Sequence, residues 1–589
     1  MNDKTPLEIL NNYFGYKGFQ GKQEQIIKHI LSGNNALVLM PTGGGKSICY
    51  QIPALMQGGV TIVISPLISL MQDQVANLKQ LGINAEYIAS NISYAEINNK
   101  LNLLTANAVK LLYITPERAT SRIFINYIKS IKVNLFAIDE AHCISHWGYD
   151  FRPDYQQLKF LINEFPQIPR IALTATADHY TKVDIKHFLN LTDADFFTSS
   201  FLRENFIYRV SEKNNGKQQL LEFIKQHKHQ SGIIYCKSRS RVDEITTFLQ
   251  QNAINAMPYH AGLELSIREQ HHRSFLQLNN SLMVATIAFG LGIDKPDVRF
   301  VYHFDMPRSI DHFYQEAGRA GRDGMVAESV INFGFKEVLD TCQFIMQSEQ
   351  SELKKKYELV KLKQILTYCD TEQCRRQTLL ELLGEASEVC GKCDNCLNPP
   401  VLYDATALVQ KILSTIYHVG QKFNSGHIVD ILRGKLSLNV QIWEHHKLST
   451  FGLCNDVSSK ELRRTIRQLF ARNIINIEYA SGKLKLTDKA IPIIRGISDM
   501  FLPQLNKKVK FVYDREIWLR TEFEERLYRK VLFWRHKIAI INNIPNYAVL
   551  SDKTIYELIK YKPLNQDELL DIYGIGKVKL KKYGTEILE

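Results

Sequence analysis

No stretch of the 589 residues approaches the roughly 18 consecutive apolar residues that a membrane-spanning helix needs, so no membrane partner is expected. Residues 1–10 lack a basic segment followed by an apolar one, so no secretory signal is expected either. The expected location is the cytoplasm, beside the nucleoid if the chain is bacterial. No convincing low-complexity tract divides the sequence; Asn506-Lys507-Lys508-Val509-Lys510 is the best linker candidate. The ten cysteines are expected to be reduced in such a compartment, which disfavours disulfides. Acidic residues fall short of basic ones, 61 against 73, and the resulting +12 favours a polyanionic partner without identifying it. The imbalance is local: residues 401–515 carry 18 Lys and Arg against 9 Asp and Glu, a patch that nucleic acid or an anionic membrane surface would suit.

The chain is long enough for several domains, and 45% apolar residues allow each a core. The most informative stretch is Asp139-Glu140-Ala141-His142 and the loop after it. Val133, Leu135, Phe136, Ala137 and Ile138 read as a buried parallel strand, and open α/β sheets bind ligands at the carboxyl ends of their strands. An acidic pair there suits Mg²⁺ on Asp139 and a phosphate-directed water on Glu140. Trp147, Phe151 and Arg152 follow in a loop broken by Gly148 and Pro153, and bases stack on such planar groups.

Upstream, the strand 36–40 runs into Pro41-Thr42-Gly43-Gly44-Gly45-Lys46-Ser47 and a helix. This is a P-loop arrangement, although Met40 replaces the first glycine of the strict pattern. Its amides would cradle phosphates, with Lys46 on the β/γ-phosphates and Ser47 on Mg²⁺. Further strands near 60–64, 111–114 and 171–173 imply a mostly parallel doubly wound sheet. A second set from about residue 206 has no P-loop but ends in Gln315 to Gly324, where Arg319 and Arg322 suit arginine fingers aimed across a cleft.

In the C-terminal third, Cys374, Cys390, Cys393 and Cys396 have the spacing C-x15-C-x2-C-x2-C, which suits tetrahedral structural Zn²⁺. Residues 458–473 read as an amphipathic helix with Arg463, Arg464, Arg467 and Arg472 on a basic face expected to meet phosphates. A hairpin is expected around residues 474–486. The segment 516–589 is helical in pattern, with the turn Tyr573-Gly574-Ile575-Gly576-Lys577 suited to presenting amides to phosphate.

These motifs, in this order, resemble superfamily 2 helicases, and their detail resembles the RecQ family of DNA helicases over nearly the whole chain. The resemblance implies a multidomain α/β fold: RecA-like doubly wound parallel-sheet domains at 1–205 and 206–345, and a helical zinc-binding platform at 346–402. A winged-helix domain at 403–510 and an all-α HRDC domain at 516–589 complete it. It implies ATP, Mg²⁺ and Zn²⁺ as cofactors. Lys46, Asp139, Glu140, His142, Arg319 and Arg322 are then the catalytic set. Tyr16, Gln23, Thr42, Gly43, Gly44, Gly45, Lys46 and Ser47 contact the nucleotide, with Gln23 on an adenine edge. In the family's pattern an Arg precedes the motif; here Gln20 stands in its place. Trp147, Phe151, Arg152, Arg463, Arg464, Arg467 and Tyr547 are the implied DNA contacts. The implied partners are single-stranded and forked DNA, with a single-strand-binding protein as a further one, and the implied polarity is 3′ to 5′. Two other readings compete: an RNA helicase with the same core, and a DNA-binding scaffold with a relic ATPase.

Overall fold

The computed structural model describes residues 4–589 apart from 91, 107, 149, 291–294, 479–480, 504–520 and 543. Tyr149, the linker candidate 506–510 and the hairpin tip 479–480 therefore lie outside the described residues. Seven strands form the first sheet: β1 (Ala36–Leu39), β2 (Val60–Ile64), β3 (Ala85–Ile88), β4 (Leu111–Ile114), β5 (Val133–Ile138), β6 (Arg170–Thr174) and β7 (Asp195–Thr198). They are ordered β3-β4-β2-β5-β6-β1-β7, and each adjacent pair is parallel. β1, β2, β4 and β6 are buried throughout, as expected for apolar runs covered by helices on both faces.

A second, six-stranded parallel sheet follows: β8 (Phe206–Glu212), β9 (Ser231–Tyr235), β10 (Ala256–Tyr259), β11 (Leu282–Ala285), β12 (Val298–His303) and β13 (Ala327–Phe333). Its order is β10-β11-β9-β12-β13-β8. Beyond it lies a helical unit built on Glu352–Asp370 and Arg375–Leu382. Arg375 fastens that unit: its guanidinium donates to Asp394, to the carbonyls of Tyr368 and Cys369, and to Asn395. Asp394 in turn accepts the Val210 amide of β8 at 2.9 Å.

Residues 402–503 hold the helices Thr406–His418, Ser425–Leu432 and Ser459–Ala471 and an antiparallel hairpin, Ile475–Glu478 against Lys483–Leu486. A second antiparallel pair, Leu402–Asp404 with Phe501–Pro503, ties the two ends of this unit together, and the sequence pattern gave no sign of it. The last unit comprises the helices Glu522–Ile541, Asn546–Val549, Asp552–Tyr561, Gln566–Leu570 and Lys577–Leu588 around their own core. Among the described residues, no helix is long and apolar enough to cross a membrane.

Candidate nucleotide cleft and nucleic-acid interface

β1 delivers the glycine loop to the carboxyl edge of the first sheet. Gly43 and Gly45 sit at φ 79° and 76°, a backbone region that side-chain-bearing residues rarely adopt. A Cβ on Gly45 would also fall 2.4 Å from Gln23 Nε2. Gln23 is buried, and its amide nitrogen donates to the Gly44 and Gly45 carbonyls at 3.2 and 3.1 Å while its oxygen accepts the Gln20 amide at 2.8 Å. A buried amide must find partners, and here it finds them in the loop. Gln23 thus props the glycine loop; the family resemblance implied that its amide meets an adenine edge.

β5 delivers the acidic pair. Glu140 takes φ 48° and ψ 45°, a strained left-handed conformation, and its amide bonds the Asp139 carboxylate at 3.0 Å. Burial, then Glu140, pushes the Asp139 carboxyl up against the pull of Lys46. Burial opposes ionisation of Glu140 too, but Lys46, His142, Arg319 and Arg322 outweigh it and hold its carboxyl below the usual range. Burial lowers the His142 imidazole to about 4, so it is neutral. Its Nδ1 lies 2.9 Å from Thr174 Oγ1, and that hydroxyl already donates to the Thr176 carbonyl. Nδ1 must therefore carry the proton, and it ties His142 to Thr174 at the end of β6; Glu140 Oε2 stands 3.3 Å from the same nitrogen but is left without a hydrogen-bond partner among the described residues.

The second sheet faces this edge. Gln315, Arg319 and Arg322 line the same cavity of about 610 Å³ as Thr42, Gly43, Lys46, Ser47, Asp139 and Glu140. Arg319 is buried, and its Nε has no hydrogen-bond partner among the described residues. A buried orphan donor beside Lys46 fits an anionic ligand. Arg203, which no sequence motif marked, joins the two halves: it donates to the Thr42 carbonyl at 2.6 Å and to the Gly321 carbonyl at 2.8 Å.

The aromatic loop lies past the same strand end. Trp147 is half-buried, with ring centroids 5.3 Å from Tyr180 and 5.2 Å from Tyr357, and the Lys354 ammonium is 5.5 Å from its ring. Phe151 packs on His146 at 3.8 Å. Arg152 is committed to Asp150 at 3.0 Å and to the Pro66 carbonyl at 2.8 Å, so it holds the loop in place instead of reaching outward for a strand. From the helix Glu352–Asp370, Lys361 pairs with Asp178 of the first unit and Asp311 of the second. Tyr180, Lys354, Tyr357 and Lys361 were missed by sequence reasoning because they are far from the loop in sequence and carry no motif.

The Sγ atoms of Cys374, Cys390, Cys393 and Cys396 all lie within 4.8 Å of one another, and Cys390 and Cys396 are 3.9 Å apart. Four thiolates at Zn–S distances of about 2.3 Å stand about 3.8 Å apart, so the cluster fits tetrahedral zinc.

Five domain-family models match the chain in sequence order. A DEAD/DEAH box helicase model covers 20–183, and a helicase conserved C-terminal domain covers 215–324. RecQ zinc-binding follows at 336–397, an RQC domain at 399–510 and an HRDC domain at 524–589. The chain is 41% identical over 591 residues to the ATP-dependent DNA helicase RecQ of Pasteurella multocida (strain Pm70), spanning 100% of this chain and 93% of that protein. The chain belongs to the RecQ family. It is also 38% identical over 585 residues to the Bacillus subtilis (strain 168) RecQ helicase, covering 99% and 97% of the two chains. To the RecQ-like DNA helicase BLM of Xenopus laevis it is 33% identical over 636 residues, covering 100% and 46%.

Within this RecQ architecture three expected DNA contacts besides Arg152 fall elsewhere. Arg467 is 3% exposed; its guanidinium bonds Asp370 at 3.0–3.2 Å and lies 3.4 Å from Glu212. Arg464 is half-buried and shares with Glu212 a cavity at the junction of three units. Of the three arginines assigned to DNA on that helix, Arg463 alone is exposed. The helix turns much of its basic face inward because acidic side chains of the zinc-binding unit and β8 wait there. Tyr547 is 9% exposed and lines the nucleotide cleft, not an outer surface. The turn at Gly576 packs on the N-terminal turn at Gly15, so its backbone is not presented to phosphates either.

Proposed function

We propose that the protein is an ATP- and Mg²⁺-dependent DNA helicase that moves 3′ to 5′ along one strand and opens forked duplex. The single observation that carries this reading is the cleft itself, with Lys46, Asp139 and Glu140 on one sheet facing Arg319 and Arg322 on another. ATP binds with its phosphates on the glycine loop and Lys46; Ser47 and Asp139 would hold Mg²⁺, which would neutralise phosphate charge. Glu140 orients the attacking water, its Oε2 being free of hydrogen-bond partners among the described residues, and neutral His142 packs beside it on Thr174 of β6. Arg319 and Arg322 stabilise the charge that develops on the transferred phosphoryl group. Closing and opening of the two sheets about this cleft moves the strand held near Trp147 and Phe151.

The zinc cluster is structural, since four protein thiolates leave no open position. The divisions at residues 205, 345, 402 and 510 follow from the same reading. So do a place in the cytoplasm beside DNA, and a single-strand-binding protein as a further partner. The RNA-helicase and relic-scaffold readings predict different substrates or no turnover.

Strand displacement on DNA and RNA forks carrying a 3′ or a 5′ tail tests the proposal. The 3′-tailed DNA fork is expected to open with ATP, and Lys46→Ala is expected to lower hydrolysis by about 10²-fold or more. Preference for the RNA fork or the 5′ tail, or normal turnover by Lys46→Ala, would overturn it.

A further inference from the structure

The HRDC unit lies across the nucleotide cleft and is anchored on both sides of it. On the first helicase unit, Lys17 pairs with Asp571 at 2.6 Å and Lys582 donates to Gln80 at 2.9 Å. The turns at Gly15 and Gly576 meet backbone to backbone: a Cβ on Gly576 would stand 3.1 Å from the Gly15 nitrogen and the Asn11 carbonyl oxygen. On the second unit, Arg535 donates to Asn279 at 3.0 Å and Asn546 to the Gln277 carbonyl. Between these anchors, Ser551, Tyr573 and Lys579 line the same cavity as Lys46, Asp139 and Arg319.

Two features of this third wall suit a nucleotide. The Tyr573 ring packs on Tyr16 with centroids 5.4 Å apart and planes at 36°, and the Lys553 ammonium is 3.9 Å from the Tyr573 ring centroid. On the first unit, Gln23 is engaged with the glycine loop, and Gln20 stands where the family's pattern has an arginine. Lys579 is half-buried with no hydrogen-bond or ion-pair partner among the described residues, and burial lowers its ammonium to about 8. An unpaired cation in a cleft that takes a triphosphate gains a partner when the nucleotide arrives.

We infer that the HRDC unit supplies part of the nucleotide site: Tyr573 completes with Tyr16 the stacking surface for the purine base, and Lys579 contributes positive charge to the same cavity. The inference rests on the cleft assignment above and adds specificity-determining residues to it. Because the bound nucleotide would contact the HRDC unit itself, nucleotide binding and HRDC docking change each other's affinity by the same factor.

Full-length Tyr573→Ala, Tyr573→Phe and Gly576→Leu are compared with the parent for the KM and kcat of DNA-stimulated ATP hydrolysis and the Kd of a fluorescent ADP analogue. Melting curves confirm folding. Tyr573→Ala is expected to raise both KM and Kd by about five-fold or more, the low end of base–aromatic stacking, with kcat little changed and selectivity for ATP over CTP reduced. Tyr573→Phe keeps the ring and is expected to behave as the parent. Gly576→Leu leaves the ring intact but blocks docking, and is expected to reproduce the rise. Unchanged KM and Kd in both Tyr573→Ala and Gly576→Leu, or a fall in either constant, would overturn the inference. Lys46→Ala separates the two levels: if it hydrolyses ATP normally the cleft assignment fails, whereas if it is inactive and Tyr573→Ala binds normally only the HRDC contribution fails.

Discussion

Arg467→Ala separates a phosphate contact from an internal strut. The guanidinium reaches both Asp370 oxygens from Nε at 3.2 and 3.1 Å, meets Oδ1 again from Nη2 at 3.0 Å, and lies 4.7 Å from the Phe333 ring. The Asp370 side chain is 9% exposed, so removing Arg467 leaves a carboxylate buried without its partner. Breaking a buried pair on one side costs about 3–5 kcal/mol. At about 2–4 °C per kcal/mol for a cooperative unit of about 150–250 residues, such as the zinc-binding and winged-helix units melting together, that transition should fall by about 6–20 °C. Arg467→Met combined with Asp370→Leu should recover most of that loss, because an apolar replacement of both partners is close to neutral. Calorimetry reads the stability, and duplex affinity across a salt series reads the phosphate contacts. The double variant should keep the parent's salt slope, whereas Arg463→Glu should flatten it by about one or more. An Arg467→Ala protein with unchanged melting and a flatter salt slope would refute the strut.

Elemental analysis should find one zinc per chain, and Cys390→Ser should reduce it together with yield and melting temperature, because metal binding is folding energy. Zinc-free protein with parental stability would exclude the site. Trp147→Ala should remove most DNA stimulation of ATP hydrolysis, and its lost contacts with Tyr180 and Tyr357, each worth about 0.5–1.5 kcal/mol, should lower melting by a few degrees. A folded variant that is still fully stimulated would show that the loop is not the coupling element. In the winged helix, His427 Nε2 and His445 Nδ1 are 2.7 Å apart, and burial, then the neighbouring His445, lowers His427 to about 4 from its ordinary 6.5. The unfolded chain then binds more protons between those values, so stability present above pH 6.5 should be lost as pH falls toward 4. His427→Gln should flatten that acid limb in a pH series of melting curves.

The parts of the site that the sequence made legible are those whose chemistry is local. The glycine loop, the Asp139-Glu140 pair and the four cysteines each announce themselves within a few residues, because strand end, turn and ligand spacing are all short-range. Arg467 was misread for the opposite reason: its partners Asp370 and Glu212 lie 97 and 255 positions away, and a basic helical stripe looks the same whether it faces solvent or buried carboxylates. Tyr357 carries no local signal, and the turn at Tyr573 pointed only to phosphate-binding amides; only the packing of one unit on another brings the first to Trp147 and the second to Tyr16. Gln23 was placed in the right cleft, but its partners are the loop carbonyls. The strand pair 402–404 with 501–503 escaped notice because each strand is three residues long and its partner is a hundred positions off.

β8 is the outermost strand of the second sheet, and such a strand ordinarily shows a row of unpaired amides and carbonyls to any passing chain. Here the Val210 amide is taken by Asp394, which sits between Cys393 and Cys396 in the cysteine loop and is held there by Arg375. The metal loop is therefore a guard on a sheet edge as well as a fold staple. Protein stripped of zinc would lose that guard while its two helicase sheets remained intact, leaving an open β template on an otherwise folded molecule. Its characteristic failure would then be self-association through β8, growing with concentration, before any loss of helical or sheet content.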